Sequence, residues 1–289
     1  MSRSIAGKIK INSFADLVGG DEGAIAEIPI ADLHDFKDHP FRVLDDEKME
    51  EMADSIRAYG VLTPIIARPV IEGGYEIISG HRRKRACEIA GISTIPAVIK
   101  NYSDDESTVI MVDSNIQRED ILPSEKAKAY RMKYDALKHQ GSAGGDSLEN
   151  IGGASGESRK TVQRYIYLSN LSERLLKLVD DKKLPMMAGV HISFLNGKEQ
   201  SWVEKVLSDK MTNITPSQAE KLKEYSQNRE LTRTMTELIL SDNKVKTRRF
   251  VMKGDRISEF FTEEVTDEEI EETIINLLTE WKNKGKERD

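Results

Sequence analysis

The sequence predicts an α+β domain at its N-terminal end, then an all-α region carrying a helix-turn-helix, then a small αβ tail. Three observations predict this. Short β-rich runs alternate with apolar helical stripes as far as about residue 100. From there to about residue 228 the apolar spacing is helical throughout. From about Lys244 a strand-like run and clustered aromatic residues return. The boundaries so read are a flexible arm over 1–26, an α+β domain over 27–102, a helical region over 103–228 and a C-terminal region over 229–289.

Residues 1–26 are mixed and contain Gly19-Gly20 and Gly23, which reads as a mobile arm. Glu27 to Leu33 reads as a short strand. Leu44-Asp-Asp-Glu47 opens a helix with acidic residues at its dipole-positive end. Met49, Met52, Ala53 and Ile56 form its apolar stripe, and Gly60 ends it. Pro64–Arg68 and Tyr75–Ile78 flank Gly73-Gly74, the pattern of a hairpin. A helix beginning at the Gly80 junction and closed by Gly91 follows, then a strand over Ile95–Lys100. Ser103-Asp-Asp-Glu106 has the form of a capping box, and Pro123-Ser-Glu125 opens a helix running to His139.

Gly141 to Gly145 reads as a flexible hinge. Near 147–169 a short helix (Leu148–Ile151) and a Gly/Ser break precede a second helix, Ser158–Leu168. Val162, Tyr165 and Ile166 take its buried side and Ser158 its N-cap. Ser158, Arg159, Lys160, Thr161, Gln163 and Arg164 are the candidate contacts to double-stranded DNA: Arg and Gln suit guanine and adenine edges, Lys and Thr suit phosphates. The alternative is a basic amphipathic helix in a bundle. Further amphipathic helices cover Leu171–Val179, Ala188–Leu195, Ser201–Leu207 and Thr215–Tyr225, with His191 and Trp202 as core or half-buried residues. In the tail, Lys246–Met252 reads as a strand, Ile257–Phe261 as a short helix and Asp267–Trp281 as a longer one.

The formal net charge of −7 excludes a chain that coats nucleic acid indiscriminately, so DNA contact requires a local basic patch. Cys87 is the single cysteine, which excludes an internal disulfide and a thiolate zinc site and fits a reducing cytoplasm. The first residues carry no long apolar run, so neither a signal peptide nor a membrane span is expected.

The most informative stretch is Tyr75 to Gly91. Wound at 3.6 residues per turn, Arg82, Arg85, Ala86 and Ile89 share a face. That face should be the inward one, and its two arginines sit in the turn where the dipole repels cations. A strand–glycine–helix junction presents backbone N–H groups to an anion, and arginines can add bidentate contacts. The expectation is a phosphate pocket; a solvated basic run is the alternative.

Gly80-His-Arg-Arg-Lys-Arg-Ala86, followed by Gly91 and Ile95-Pro-Ala-Val-Ile99, resembles the Gly-Glu-Arg-Arg-x-Arg-Ala signature of ParB-type partition proteins. Gly60-Val-Leu-Thr-Pro-Ile-Ile66 before it and Asn115-Ile-Gln-Arg-Glu119 after it match in order, so the resemblance spans about residues 28–185. It implies a ParB/sulfiredoxin-like N-terminal fold and a bound CTP with magnesium. The implied nucleotide-binding residues are Ser79, Gly80, His81, Arg82, Arg83, Arg85, Ala86, Asn115, Gln117 and Arg118, with Asn115 also on the metal side. It further implies a homodimer joined through the C-terminal region, a ParA-like ATPase partner, and a cytoplasmic, nucleoid-associated DNA clamp that acts in DNA segregation.

Two positions depart from the family pattern. His81 stands where the family has Glu. Ser114 also stands where the family has Glu, and a hydroxyl is a poor hard-cation ligand, so binding without efficient hydrolysis is expected. These departures lean toward the divergent members found on mobile elements. They also keep open a helix-turn-helix transcriptional regulator whose ParB-like domain is a nucleotide-independent scaffold. A third reading, an enzyme related to sulfiredoxin or to kinases with Cys87 as nucleophile, ranks last.

Overall fold

In a computed structural model the structure describes residues 25–241, apart from 119, 142–143 and 211–212, and short stretches between 260 and 277. The chain divides into two units, residues 1–241 and 242–289.

The first unit begins with β1 (Ile25–Pro29), one 3-10 turn and the two-residue β2 (Leu33–His34), where the sequence suggested a single strand. Helix α1 (Glu47–Tyr59) follows; the Asp46 side chain accepts from the Met49 N–H as its N-cap, and Gly60 at φ +72° ends it. Strands β3 (Ile65–Pro69) and β4 (Tyr75–Ser79) pair antiparallel around the Gly73-Gly74 turn. Helix α2 (His81–Ala90) leads to β5 (Thr94–Ile99). The sheet order is β1-β5-β3-β4-β2, with β3 parallel to β5 and β2 parallel to β4.

Alternation along the strands divides the sheet between two interiors. Ile65, Ala67, Ile77, Ile95 and Ala97 pack with α1 and α2 residues such as Met49, Ala53, Ile56, Ala86 and Cys87. Ile66 and Ile78 face the other way, onto Ile110, Met111 and Tyr130. Those partners come from α3 (Asp104–Asn115), opened by the complete Ser103/Glu106 capping box, and α4 (Pro123–His139), with proline in its first turn. Arg68 joins the hairpin to this layer, pairing with Glu76 at 2.6 Å and with Asp104 at 2.6 Å.

Helices α5 (Gly144–Ser155) and α6 (Arg159–Leu168) complete the second interior through Leu148, Ile151, Val162 and Ile166. The sequence placed a hinge at 141–145 and a break at Gly152-Gly153. Instead the helix begins at Gly144 and continues through both glycines, because Leu148 and Ile151 are anchored and Gly152 packs directly against the Glu157 carbonyl. Packing overrides the weak intrinsic propensity of glycine.

A third interior holds α7 (Glu173–Asp180), α8 (Met186–Ile192), α9 (Gly197–Lys210), α10 (Pro216–Gln227) and α11 (Arg233–Ser241). Helix α9 is longer than the Ser201–Leu207 expected. Helix α11 was not anticipated; its Leu240 joins this core, so the first unit runs on to Ser241 rather than stopping at 228. Trp202 packs against the cluster half-buried, and His191 is half-buried on α8. Among the described residues no helix is long and apolar enough to cross a membrane.

In the second unit residues 269–270 and 272–277 are helical, and Thr266 and Glu269 cap each other's backbone N–H groups. Residues 1–24 of the expected arm, the strand over 246–252, most of the short helix over 257–261 and the end of the longer helix, residues 278–281, lie outside the described residues, and residues 25–26 of the expected arm begin β1 instead.

Candidate nucleotide site and nucleic-acid interface

Strand β4 ends at Ser79, and Gly80 turns the chain into α2 at φ +117°. A side chain is excluded there: a Cβ would lie 2.5 Å from Ile65 Cγ2. No side chain caps α2, and its first turn contains no acidic residue. The helix therefore opens with N–H groups and a dipole suited to an anion.

The buried face of α2 differs from the one the sequence suggested. His81, Ala86 and Cys87 are buried, not a stripe containing Arg82 and Arg85. The small Ala86 and Cys87 allow the helix to sit close against the sheet, and the long cations run along its flanks. Arg83 turns back and donates to the Thr63 carbonyl at 2.7 Å and to the Pro64 carbonyl, fixing the loop before β3; burial lowers its pKa. Arg82, Lys84 and Arg85 all meet carboxylates of one segment, residues 35–46. Arg82 Nη2 lies 3.2 Å from Asp46 Oδ1, and Lys84 Nζ lies 3.0 Å from Asp35 Oδ1. Arg85 is held in a fork, Nε to Asp45 Oδ1 at 2.9 Å and Nη2 to Oδ2 at 2.6 Å, and Nη1 reaches Glu88. The Arg85 hydrogen bonds hold the Asp45 carboxyl below its ordinary pKa and raise that of Arg85.

His81, expected from the resemblance among the nucleotide-binding residues, is buried beneath the segment that precedes α1. Its ring packs against that of His39, tilted by 41° with centroids 3.9 Å apart, and its Nε2 accepts the Phe36 N–H at 3.3 Å. Burial, with the His39 and Lys84 charges adding to it and Asp35 opposing, pushes its pKa down to about 3. His39 is lowered too, chiefly by burial; its Nδ1 donates to the Phe41 carbonyl at 2.7 Å. The charge of Arg118, three residues beyond the end of α3, adds to the lowering of His39.

Ser114 Oγ donates to the Met111 carbonyl, and the Asn115 amide donates to the same carbonyl and to Ser114. Asp113, the carboxylate beside them, is buried against Lys133. The uncapped N–H groups and the flanking cations of α2 are of the chemistry that binds phosphate oxygens, and each of the three cations is paired with an aspartate. The end of α3 offers a magnesium ion little beyond the Asn115 amide oxygen, because its carboxylate is already paired. Among the described residues no group of three or more His, Cys, Asp or Glu is placed to hold a metal.

At α6, Ser158 caps the helix through the Thr161 N–H and bonds the Thr161 hydroxyl at 2.9 Å, so both side chains serve the cap. Arg159, Lys160, Gln163 and Arg164 are exposed, and Gln163 donates to the Tyr167 hydroxyl at 3.0 Å. The three-residue link before α6 is fixed by Glu157, which accepts from Tyr130 Oη at 2.8 Å and pairs with Lys126.

A five-stranded mixed sheet with a glycine junction flanked by clustered cations, followed by many helices, defines an α+β domain with a helical extension. Residues 17–116 match the ParB N-terminal domain family. The chain is 32% identical over 203 residues to stage 0 sporulation protein J of Bacillus subtilis, covering 70% of this chain and 69% of that one. It is 28% identical over 280 residues to the nucleoid occlusion protein of Listeria monocytogenes, covering 93% and 95% respectively. A solved structure of a C-terminally truncated chromosome-partitioning protein ParB from Caulobacter crescentus, complexed with CTP-gamma-S, overlaps 65% of this chain and 100% of its own. The identity is 28% and the TM-score 0.32, too loose an overlap for matching sites. The chain belongs to the ParB family.

Proposed function

We propose that this chain is a site-specific, double-stranded-DNA-binding protein of the ParB partition type, gated by CTP at the N-terminus of α2 and acting as a dimeric clamp in DNA segregation. The observation that carries the reading is the Gly80 junction: an uncapped helix start, closed to any side chain, with Arg82, Lys84 and Arg85 ranged beside it. Ser79, Gly80, His81 and Ala86 shape the junction, and Asn115, Gln117 and Arg118 approach from the end of α3. Arg83 positions the neighbouring loop. Magnesium arrives with the phosphates in this reading, and Ser114 disfavours rapid hydrolysis.

Helices α5 and α6, joined by the three-residue link, form the helix-turn-helix. Arg159, Lys160, Gln163 and Arg164 meet the major groove, each protomer reading one half-site. The relatives named for sporulation and for nucleoid occlusion fit a role on chromosomal DNA. The 242–289 unit supplies the dimer contact, and the N-terminal arm meets a ParA-like ATPase. Calorimetry with CTP tests the gating: binding by the natural chain and loss of at least tenfold in affinity for Arg82→Ala are expected. No heat with any nucleotide overturns it.

A second reading, a DNA-binding regulator with a nucleotide-independent scaffold, is favoured by one observation: Arg82, Lys84 and Arg85 already have carboxylate partners. It predicts operator binding that is indifferent to CTP.

A further inference from the structure

The three cations flanking the glycine junction are matched by three carboxylates, and all three carboxylates come from one twelve-residue connection between β2 and α1. Asp35, Asp45 and Asp46 meet Lys84, Arg85 and Arg82. Cations in the first turns of a helix are disfavoured by the dipole, so each gains from a nearby anion. We propose that this connection is an internal stand-in for the nucleotide's phosphates: a strap whose aspartates occupy the cations of α2 until a triphosphate expels them. The proposal rests on the nucleotide reading of the Gly80 junction and adds its regulation.

The energetics allow the exchange. Arg85 and Asp45 are 42% and 50% exposed, and ion pairs this open to solvent are weak enough to exchange. A triphosphate adds what the aspartates lack, contacts to the open N–H groups of α2 as well as to its arginines. The exchange has a cost, because apparent affinity is scaled down to the fraction of molecules whose cations are already free of the strap.

The same strap is tied at a second place. The Arg42 backbone N–H and Nε both donate to Glu125 Oε1, at 2.9 and 3.0 Å, while Leu122 N–H takes Oε2. Phe36 and Phe41, at either end of the strap's middle, are buried in the core shared with α3 and α4. Glu125 lies in the first turn of α4; the next residue, Lys126, and Tyr130, just over a turn further on, hold Glu157, the residue that sets the link into α6. A contiguous chain of packed and hydrogen-bonded groups thus joins the α2 cations to the α5–α6 link. Releasing the aspartates frees both ends of the strap while Arg42 and the two phenylalanines keep its middle held to the α3–α4 layer.

Calorimetric titration of CTP into the full chain tests this with Asp45→Asn and Asp46→Ser. Serine keeps the N-cap that Asp46 gives to α1, so the second variant removes charge without removing the cap. Each substitution is expected to tighten CTP binding by about two- to fivefold, and the charge-preserving Asp45→Glu to leave it near the natural value. Tightening in Asp45→Glu as well would mean loosening of the strap rather than loss of competition, and overturns the proposal. Unchanged or weaker affinity in Asp45→Asn and Asp46→Ser, with the natural chain binding CTP, overturns the strap and leaves the nucleotide site standing. No binding in any of the proteins removes both. Binding in the neutralised variants alone supports the strap as a complete block.

Discussion

His81 illustrates how one side chain can carry a solution property of the whole protein. Burial disfavours its charged form, and the Nε2 that accepts the Phe36 N–H fits a neutral ring. The folded pKa, about 3, lies well below the ordinary 6.5. Below pH 6.5 the unfolded chain takes up a proton that the folded chain refuses, so stability is full above about pH 7 and is lost as pH falls toward 3. The slope for one such group is about 1.4 kcal/mol per pH unit. Urea unfolding at pH 7 and pH 5 should show a loss of about 2 kcal/mol, and His81→Gln should flatten that difference. Buried His39 acts in the same direction and leaves a smaller residual slope. Cys87 is 0% exposed with its pKa raised chiefly by burial, which leaves it unsuited to the nucleophilic role considered from the sequence.

At the scale of single elements, α2 was legible as a helix with its glycine start and glycine stop, and its facing was not. Periodicity cannot tell two adjacent arcs apart when both contain arginine, and the two smallest residues, Ala86 and Cys87, decided which arc meets the sheet. Helix α5 was misread for a related reason. The pair Gly152-Gly153 signals a break in any local scale, yet only a glycine fits where the helix meets Glu157. The two glycines are therefore expected to respond in opposite ways. A Cβ at Gly152 would lie 2.3 Å from the Glu157 carbonyl oxygen, so Gly152→Ala should destabilise by about 1–3 kcal/mol. At Gly153 the space is open, and Gly153→Ala should stabilise by about 0.5–1 kcal/mol. Thermal melts of the two variants separate these outcomes.

At the scale of the molecule, order of elements and hairpin topology followed from spacing and turn residues, and the capping boxes at Ser103 and Thr215 lie where the sequence puts helix starts. What spacing could not give is partnership across distance: Arg42 with Glu125, Lys133 with Asp113, Asp45 with Arg85. These pairs join residues whose positions carry no mutual signal in a single chain. The reach of the third core was missed likewise, because α11 is short; Leu240 is buried in that core and Met235 and Ile239 pack against it. Among the described residues the three cores contain nothing beyond Leu240. A chain ending at Ser241 should therefore melt cooperatively within a few degrees of the full protein; a broad or strongly lowered transition would show that the last 48 residues contribute to the fold.

The Gly73-Gly74 turn has a consequence out of proportion to its size. Ile77 belongs to the interior on one side of the sheet and its neighbour Ile78 to the interior on the other. Sliding β4 by a single position would swap the two, emptying both sides at once. Gly74 stands against that slip, since any larger residue would run into the Asp32 carbonyl, 2.5 Å from where its Cβ would be. One inserted amino acid in this hairpin tip would thus spoil two interiors together, while the same insertion in the 60–64 loop would leave the pairing of β3 with β4 in place.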